Sequence, residues 1–502
     1  MLAEVKVQIH ERFESGLPAD DDHPYRTGPW RPQTTEYDAW DLEVIEGEIP
    51  RDLAGIYLRN TENPLLPPIE RYHPFDGDGM LHSISFEDGE AMYRNRFVRT
   101  DGFLAEREAG RALYAGAAEN PANAERTCTL GARPNMKDAS STDIVVHGGV
   151  ALSSFWLCGD LYRHDPKTLE PLGKTDFGGR FPKQGVSAHP KIDEHTGEML
   201  FFNYGTEAPY MHYGVVDPDG TLAHYTEIEL PGPRLPHDMA FTEHYTILND
   251  CPMYWNPELL ARGHHVTTFY PDQPTRFGVL PRRGSVADVR WFEAAPTYVL
   301  HWINAYEDGD EVVLDGFFQQ NPSPSRHGEA ASSAVAGTGF DNPMFRYLDL
   351  YQLKTVAHRW RFNMTTGKCK EEQLSDRIME FGMINGRHGG RRHRYSYNAL
   401  PAEGWFGFNG VIKHDIDAGT EEVVQLPEGV HASEAVIAPR AGAIGTTDED
   451  DGYLLTFTMD MNRGRSECLI LDAARPNDPP VARIALPERI SCGTHAYWQG
   501  AA

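Results

Sequence analysis

Cysteine is scarce. Six stand in 502 residues (Cys128, Cys158, Cys251, Cys369, Cys468 and Cys492), and no two form a CxxC pair. Neither a disulfide framework nor a thiolate zinc site is expected to organise the chain. Long apolar runs are missing too; no uninterrupted stretch is long enough to span a bilayer. The first residues, MLAEVKVQIHERFESG, carry acids and no apolar h-region. No secretory leader is therefore expected, and a reducing, cytoplasmic setting is. Basic charge is the third shortage. The 46 Lys and Arg face 74 Asp and Glu, a formal charge of −28, which argues against nucleic acid and against an anionic membrane surface as partners. No hydrolase or kinase motif is present. The Gly-rich GDGMLH turn lacks the strand–helix setting of a phosphate loop.

What is there is a rhythm of short strands. The stretch Tyr298–Phe318, YVLHWINAYEDGDEVVLDGFF, reads as two strands around a turn at Glu307-Asp308-Gly309-Asp310, with His301 inside the first strand. The same phrase recurs in DIVVHGGVALSSF, KIDEHTGEMLFFNYG, GVVDPDGTLAHYTEI, HRWRFNMTTGKCKEE and DGYLLTFTMDM. Regular short strands with turn punctuation indicate an all-β sandwich, barrel or propeller. Length decides among them: 502 residues exceed one sandwich, whereas six to eight four-stranded blades of roughly 45–75 residues absorb them. A β-propeller forming one domain over 1–502 is the expectation. Residues 1–35, rich in proline, read as an extended arm on the surface. Phe103–Tyr114 reads as a surface helix, and Asn321–Asn342 as a long loop.

Histidine is abundant, at 22 residues. Four sit beside strand-like segments and small or turn-forming residues: His189 in GVSAHPKID, His237 in RLPHDMAFT, His301 in VLHWINAY and His495 in SCGTHAYW. They are too far apart for a local motif and meet only if the fold brings distant strands together. A propeller does so, because the inner strands of its blades approach one axis. Four imidazoles suit iron, copper, nickel or zinc.

These segments, with GIYLRNTENP, HPFDGDGMLH and YRNRFVRT, resemble the carotenoid cleavage oxygenases from about Leu42 to Trp498. The resemblance implies a seven-bladed β-propeller with a helical and loop dome. It implies one Fe(II) held by His189, His237, His301 and His495, and cleavage of a carbon–carbon double bond by O₂. Glu380 in IMEFGMINGR and Glu434 in HASEAVIAPR match glutamates that the family places behind its ligands; such carboxylates fix an imidazole's tautomer. A third is expected within Ser154–Asp160, SFWLCGD, where no glutamate stands; Asp160 in a shifted register, a water or a carbonyl are the alternatives. Thr142 in SSTDIVVHGG matches a threonine that limits access to one coordination position.

The implied partners are O₂ and a small apolar conjugated substrate, a carotenoid or apocarotenoid first. Stilbenes and alkenyl phenols are the alternative. The tyrosine and lysine with which the stilbene branch grips its phenol are absent from Ala117-Ala118-Glu119 and Ser154-Phe155-Trp156. A non-catalytic propeller is disfavoured because all four histidines are kept. A retinoid-type isomerase is disfavoured because clear apolar membrane loops are missing.

Overall fold

The hairpin at Trp302–Asp308 and Glu311–Gln319 shows how one unit forms. Gly309 takes a φ of 63° in the turn, and Asp308 pairs with Glu311 and Tyr306 with Val313. A positive φ there suits a residue without a Cβ. His301 stands one residue before this strand rather than inside it. Thr355–Asn363 and Cys369–Ile378 complete a four-stranded sheet. Its apolar face, with Leu314, Trp360 and Phe362, packs on Phe277, Val279 and Phe292 of the preceding sheet. A sheet buries a face only against another layer, and here each layer is the next sheet.

The computed structural model describes residues 5–128, 131, 136–255, 267–323, 349–440 and 448–501. Among them the strands make seven blades. The first is a six-stranded sheet, in which Ala496–Gly500 pairs antiparallel with Gly55–Arg59. Four four-stranded sheets follow, whose innermost strands are Asp143–His147, Lys191–Ile192, Ala240–Phe241 and Trp302–Asp308. One continuous ten-stranded sheet supplies the sixth and seventh blades, whose innermost strands are Glu380–Met383 and Val436–Pro439. The chain is a seven-bladed β-propeller, and its first blade is closed by the last strand.

The N-terminal segment is extended and exposed over Lys6–Arg12 and anchored by buried aromatics after it. Lys6–Arg12 pairs with Thr35–Trp40 as the outer strand of the first sheet. Tyr25 and Trp30 are buried, and the Trp30 indole N–H donates to the Phe406 carbonyl at 3.0 Å. Large aromatics bury too much apolar surface to lie free on a loop. With Tyr72, Leu353, Phe381 and Phe408 they form a cover over the end of the axis where the innermost strands begin. Among the described residues, Trp30 belongs to a 3-10 turn at Gly28–Trp30 and Leu353 to a helical turn at Leu350–Leu353, Tyr25 and Tyr72 come from loops, and Phe381 and Phe408 come from strands.

The helix expected at Phe103–Tyr114 spans Asp101–Ala109. The Thr100 hydroxyl accepts the Phe103 N–H at 2.9 Å, and Gly110, at φ 67°, ends the helix. Leu113 and Tyr114 instead donate their N–H groups to Glu106 Oε1. Thr100→Ala removes the cap, so urea denaturation is expected to show a loss of about 1 kcal/mol. Of the loop expected at Asn321–Asn342, only residues 321–323 belong to the described part; the rest lies outside it. Among the described residues no helix is long and apolar enough to cross a membrane.

Candidate metal centre

Each blade brings one residue to the same end of the axis, at or just before the start of its innermost strand. In blade order these are His495, Asp143, His189, His237, His301, Glu380 and Glu434. All seven are buried. The four imidazoles sequence reasoning singled out do meet. Ring centroids of His189 lie 4.9, 5.1 and 4.5 Å from those of His237, His301 and His495. His301 is 5.1 Å from His237 and 4.8 Å from His495. His189 and His237 bring their Nε2 atoms to 3.3 Å. Ligand atoms of His189, His237 and His301 all lie within 4.8 Å of one another, as do those of Asp143, His189 and His495.

Three carboxylates stand behind three of the rings. Glu380 Oε2 is 2.7 Å from His301 Nδ1 and also accepts the Phe381 N–H. Glu434 Oε1 is 3.4 Å from His495 Nδ1, while its Oε2 accepts the Ala496 N–H at 2.7 Å. Asp143 Oδ2 is 3.2 Å from His189 Nδ1, and its Oδ1 accepts the Ile144 N–H at 2.7 Å. In each case a backbone N–H of an innermost strand aims the carboxylate and the carboxylate aims the ring. His237 has histidines on both sides in the blade order, so no carboxylate reaches it from an adjacent blade.

Asp143 is the residue the sequence reading missed, and Asp160 does not take that place. Asp160 forms an ion pair with Lys174 at 2.7 Å, and its N–H donates to Asp138. The strand register explains the displacement: Asp143 pairs directly with Ser154, the first residue of the segment where a carboxylate was expected. The carboxylate stands one strand further in. Dividing the chain into blades would have found it, because DIVVHGGVALSSF begins with Asp143 just as the other innermost strands follow their site residues.

The electrostatics favour the neutral imidazole at three of the four positions. Burial, reinforced by the neighbouring imidazoles, drives His189 and His301 well below the usual histidine range and His237 down to about 3. Burial opposes charge on His495 as well, but Glu434, Asp143 and Glu62 outweigh it and raise its pKa. Burial pushes Asp143 up to about 6 against the attraction of His495. His301 carries the clearest sign of a missing partner. Its Nδ1 faces Glu380, which leaves a buried Nε2 without any hydrogen-bond partner. A ring held by one nitrogen and open at the other is what a metal ligand requires. His189 also sits at φ 65°, a left-handed conformation that costs on the order of 1–3 kcal/mol for a side chain with a Cβ.

Aromatic rings enclose the centre on the covered side. Phe381 lies 4.4 Å from His301 and 4.9 Å from His495, and Trp156 lies 6.4 Å from His237. Phe75 and Phe406 complete this shell. Thr142 is buried beside Asp143; its hydroxyl accepts the Trp156 N–H at 3.1 Å and its carbonyl accepts the Thr494 hydroxyl at 3.2 Å. Glu119 is occupied elsewhere, with Oε1 accepting the N–H groups of Glu70 and Arg71 and Oε2 that of Gly116.

The family model described as retinal pigment epithelial membrane protein matches residues 30–500. The chain belongs to that family, the carotenoid oxygenases. Carotenoid 9,10(9′,10′)-cleavage dioxygenase 1 of Phaseolus vulgaris is 32% identical over 98% of this chain and 92% of its own. Isoeugenol monooxygenase of Pseudomonas nitroreducens is 31% identical over 95% of this chain and 98% of its own. Among solved structures, the lignostilbene dioxygenase of Pseudomonas brassicacearum superposes with a TM-score of 0.80 at 26% identity, over 98% of this chain and 100% of that one. As a carotenoid oxygenase family member the protein is an oxidoreductase, and its imidazole cluster could hold a metal ion.

Proposed function

We propose that the protein is an Fe(II)-dependent dioxygenase that cleaves an internal C=C bond of a conjugated, largely apolar substrate with O₂, giving two carbonyl products. The observation that carries this reading is the four-imidazole cluster with the open Nε2 of His301. His189, His237, His301 and His495 would hold the metal. When bound, Fe(II) supplies the redox chemistry that lets O₂ react with an alkene. The rest is done by side chains. Glu380, Glu434 and Asp143 hold three imidazoles with the proton on Nδ1, so Nε2 is free to ligate. Phe75, Trp156, Phe381 and Phe406 exclude water and offer ring faces to a flat conjugated system. Thr142 stands next to Asp143 and narrows the approach on that side. No acid–base pair is needed, since the alkene supplies the electrons and each product keeps one oxygen.

Carotenoids and apocarotenoids are the first substrate class. The supports are the aromatic shell, the burial of Phe155 and Trp156 in the stretch where a phenol-gripping lysine is expected, and the engagement of Glu119 with backbone. Stilbenes and alkenyl phenols are the second, because the similarity to isoeugenol monooxygenase is about as high as that to the plant dioxygenases. We place the enzyme in the cytoplasm on its reduced-thiol composition and acidic charge.

Product analysis under ¹⁸O₂, with aldehydes trapped by reduction, tests this. A carotenoid, an apocarotenal, resveratrol and isoeugenol form the panel, and labelled products are expected from the apocarotenal. Labelled aromatic aldehydes alone would move the substrate to the second class. Absence of label from every alkene would overturn the oxygenase reading.

A further inference from the structure

Six of the seven innermost strands line a cavity of about 200 Å³ that runs along the axis, away from the aromatic cover. One end reaches His189, His301 and His495; the other reaches Glu194, Gly386 and Gly389. Lys191, Ile192, Met383, Ile384 and Tyr497 are only half-buried although they lie on or next to innermost strands, and Glu194 is exposed, so this end meets solvent. We propose that the cavity is the route by which a hydrated divalent cation enters and leaves the imidazole cluster, with Glu194 as the acidic group at its mouth. The proposal rests on the metal reading above and adds the path.

Three observations carry it. The first is charge. The wall carries four carboxylates, Asp143, Glu194, Asp238 and Glu434, against one ammonium, Lys191, which is paired with Asp238 at 2.7 Å. Burial of the carboxyl raises the Glu194 pKa and the nearby Arg387 opposes that rise, although Arg387 does not line the cavity. A cleft lined by one sign of charge between low-dielectric walls concentrates ions of the opposite sign. The second is direction. The unpartnered Nε2 belongs to His301, which lines this cavity. The opposite side is lined by the rings of Phe75, Trp156, Phe381 and Phe406, an apolar surface that a hydrated ion passes only by shedding water. The third is space at the mouth. A Cβ on Gly386 would lie 2.0 Å from Glu194 Oε1, so this position keeps the Glu194 carboxylate where it is.

The test follows Co(II) uptake by the chelator-stripped full chain, read from its visible absorption, and release to excess chelator. Glu194→Lys should slow both by about tenfold at low salt while the final stoichiometry stays at one ion, and Glu194→Gln should slow them less. Raising the ionic strength should shrink the difference, because the mouth is in contact with solvent. Glu422→Lys, the same charge change on an exposed outer strand, should leave the rates alone. Equal rates in wild type, Glu194→Lys and Glu422→Lys would overturn the route and leave the metal site standing. Equal slowing by both lysine variants would show an effect of net charge and overturn it too. Failure of the wild-type apoprotein to take up Co(II) would overturn the metal reading and the route with it.

Discussion

His301→Ala yields a folded protein that holds little metal and turns over no alkene. The imidazole would contribute one of four nitrogens, and its Nε2 is a buried atom with no hydrogen-bond partner. Its loss also strips Glu380 of the ring N–H at Oε2, although the Phe381 N–H remains. A buried polar group left short of a partner costs roughly 1–3 kcal/mol, which a propeller of this size survives. The metal affinity should therefore fall by more than the roughly ten- to hundredfold typical of losing an outer-sphere partner. Metal analysis after gel filtration, turnover and urea denaturation check the three parts. Wild-type turnover by a metal-depleted His301→Ala protein would sink the assignment.

Asp143→Asn weakens metal binding or activity by about ten- to a hundredfold, and Asp160→Asn does not. The two aspartates stand on the same blade, so the contrast is a clean one. Asp143 Oδ2 lies 3.2 Å from His189 Nδ1, whereas Asp160 is committed to Lys174 and Asp138. An asparagine at 143 can present its NH₂ to Nδ1 and so favour the wrong tautomer, with the proton on Nε2. Glu380→Gln and Glu434→Gln belong to the same series and should fall in the same range. Titration with Co(II) and steady-state rates measure it. A full loss in Asp160→Asn beside an intact Asp143→Asn would reverse the assignment made from the geometry.

Much of this arrangement is legible in the chain. Short strands broken by glycine and acidic turns give the all-β class because alternation and turn chemistry are local properties. The four histidine segments give the cluster because each carries its own strand start. What is not legible depends on pairing across strands. Ser154–Asp160 looks like the place for a third carboxylate, yet Asp143 on the paired strand fills the role, and only the register Asp143 to Ser154 reveals it. The N-terminal segment is similar. Its prolines describe an extended chain, but whether such a chain lies in solvent or becomes an edge strand is decided by Thr35–Trp40, which it pairs with, and by Phe406, which covers Trp30. His301 reads as a strand residue because Leu300 and Trp302 flank it with apolar side chains, although pairing begins only at Trp302.

The pairing of Ala496–Gly500 with Gly55–Arg59 also sets an order of events during synthesis. His495 stands one residue before that closing strand, so the fourth nitrogen arrives only when the final blade is stitched to the first. A ribosome that has made six blades has made three of the four clustered histidines, and the ring they belong to is still open. Stable capture of a cation by the proposed centre would thus report that the whole circle has closed, and a chain cut short before residue 495 is expected to fail to retain the ion.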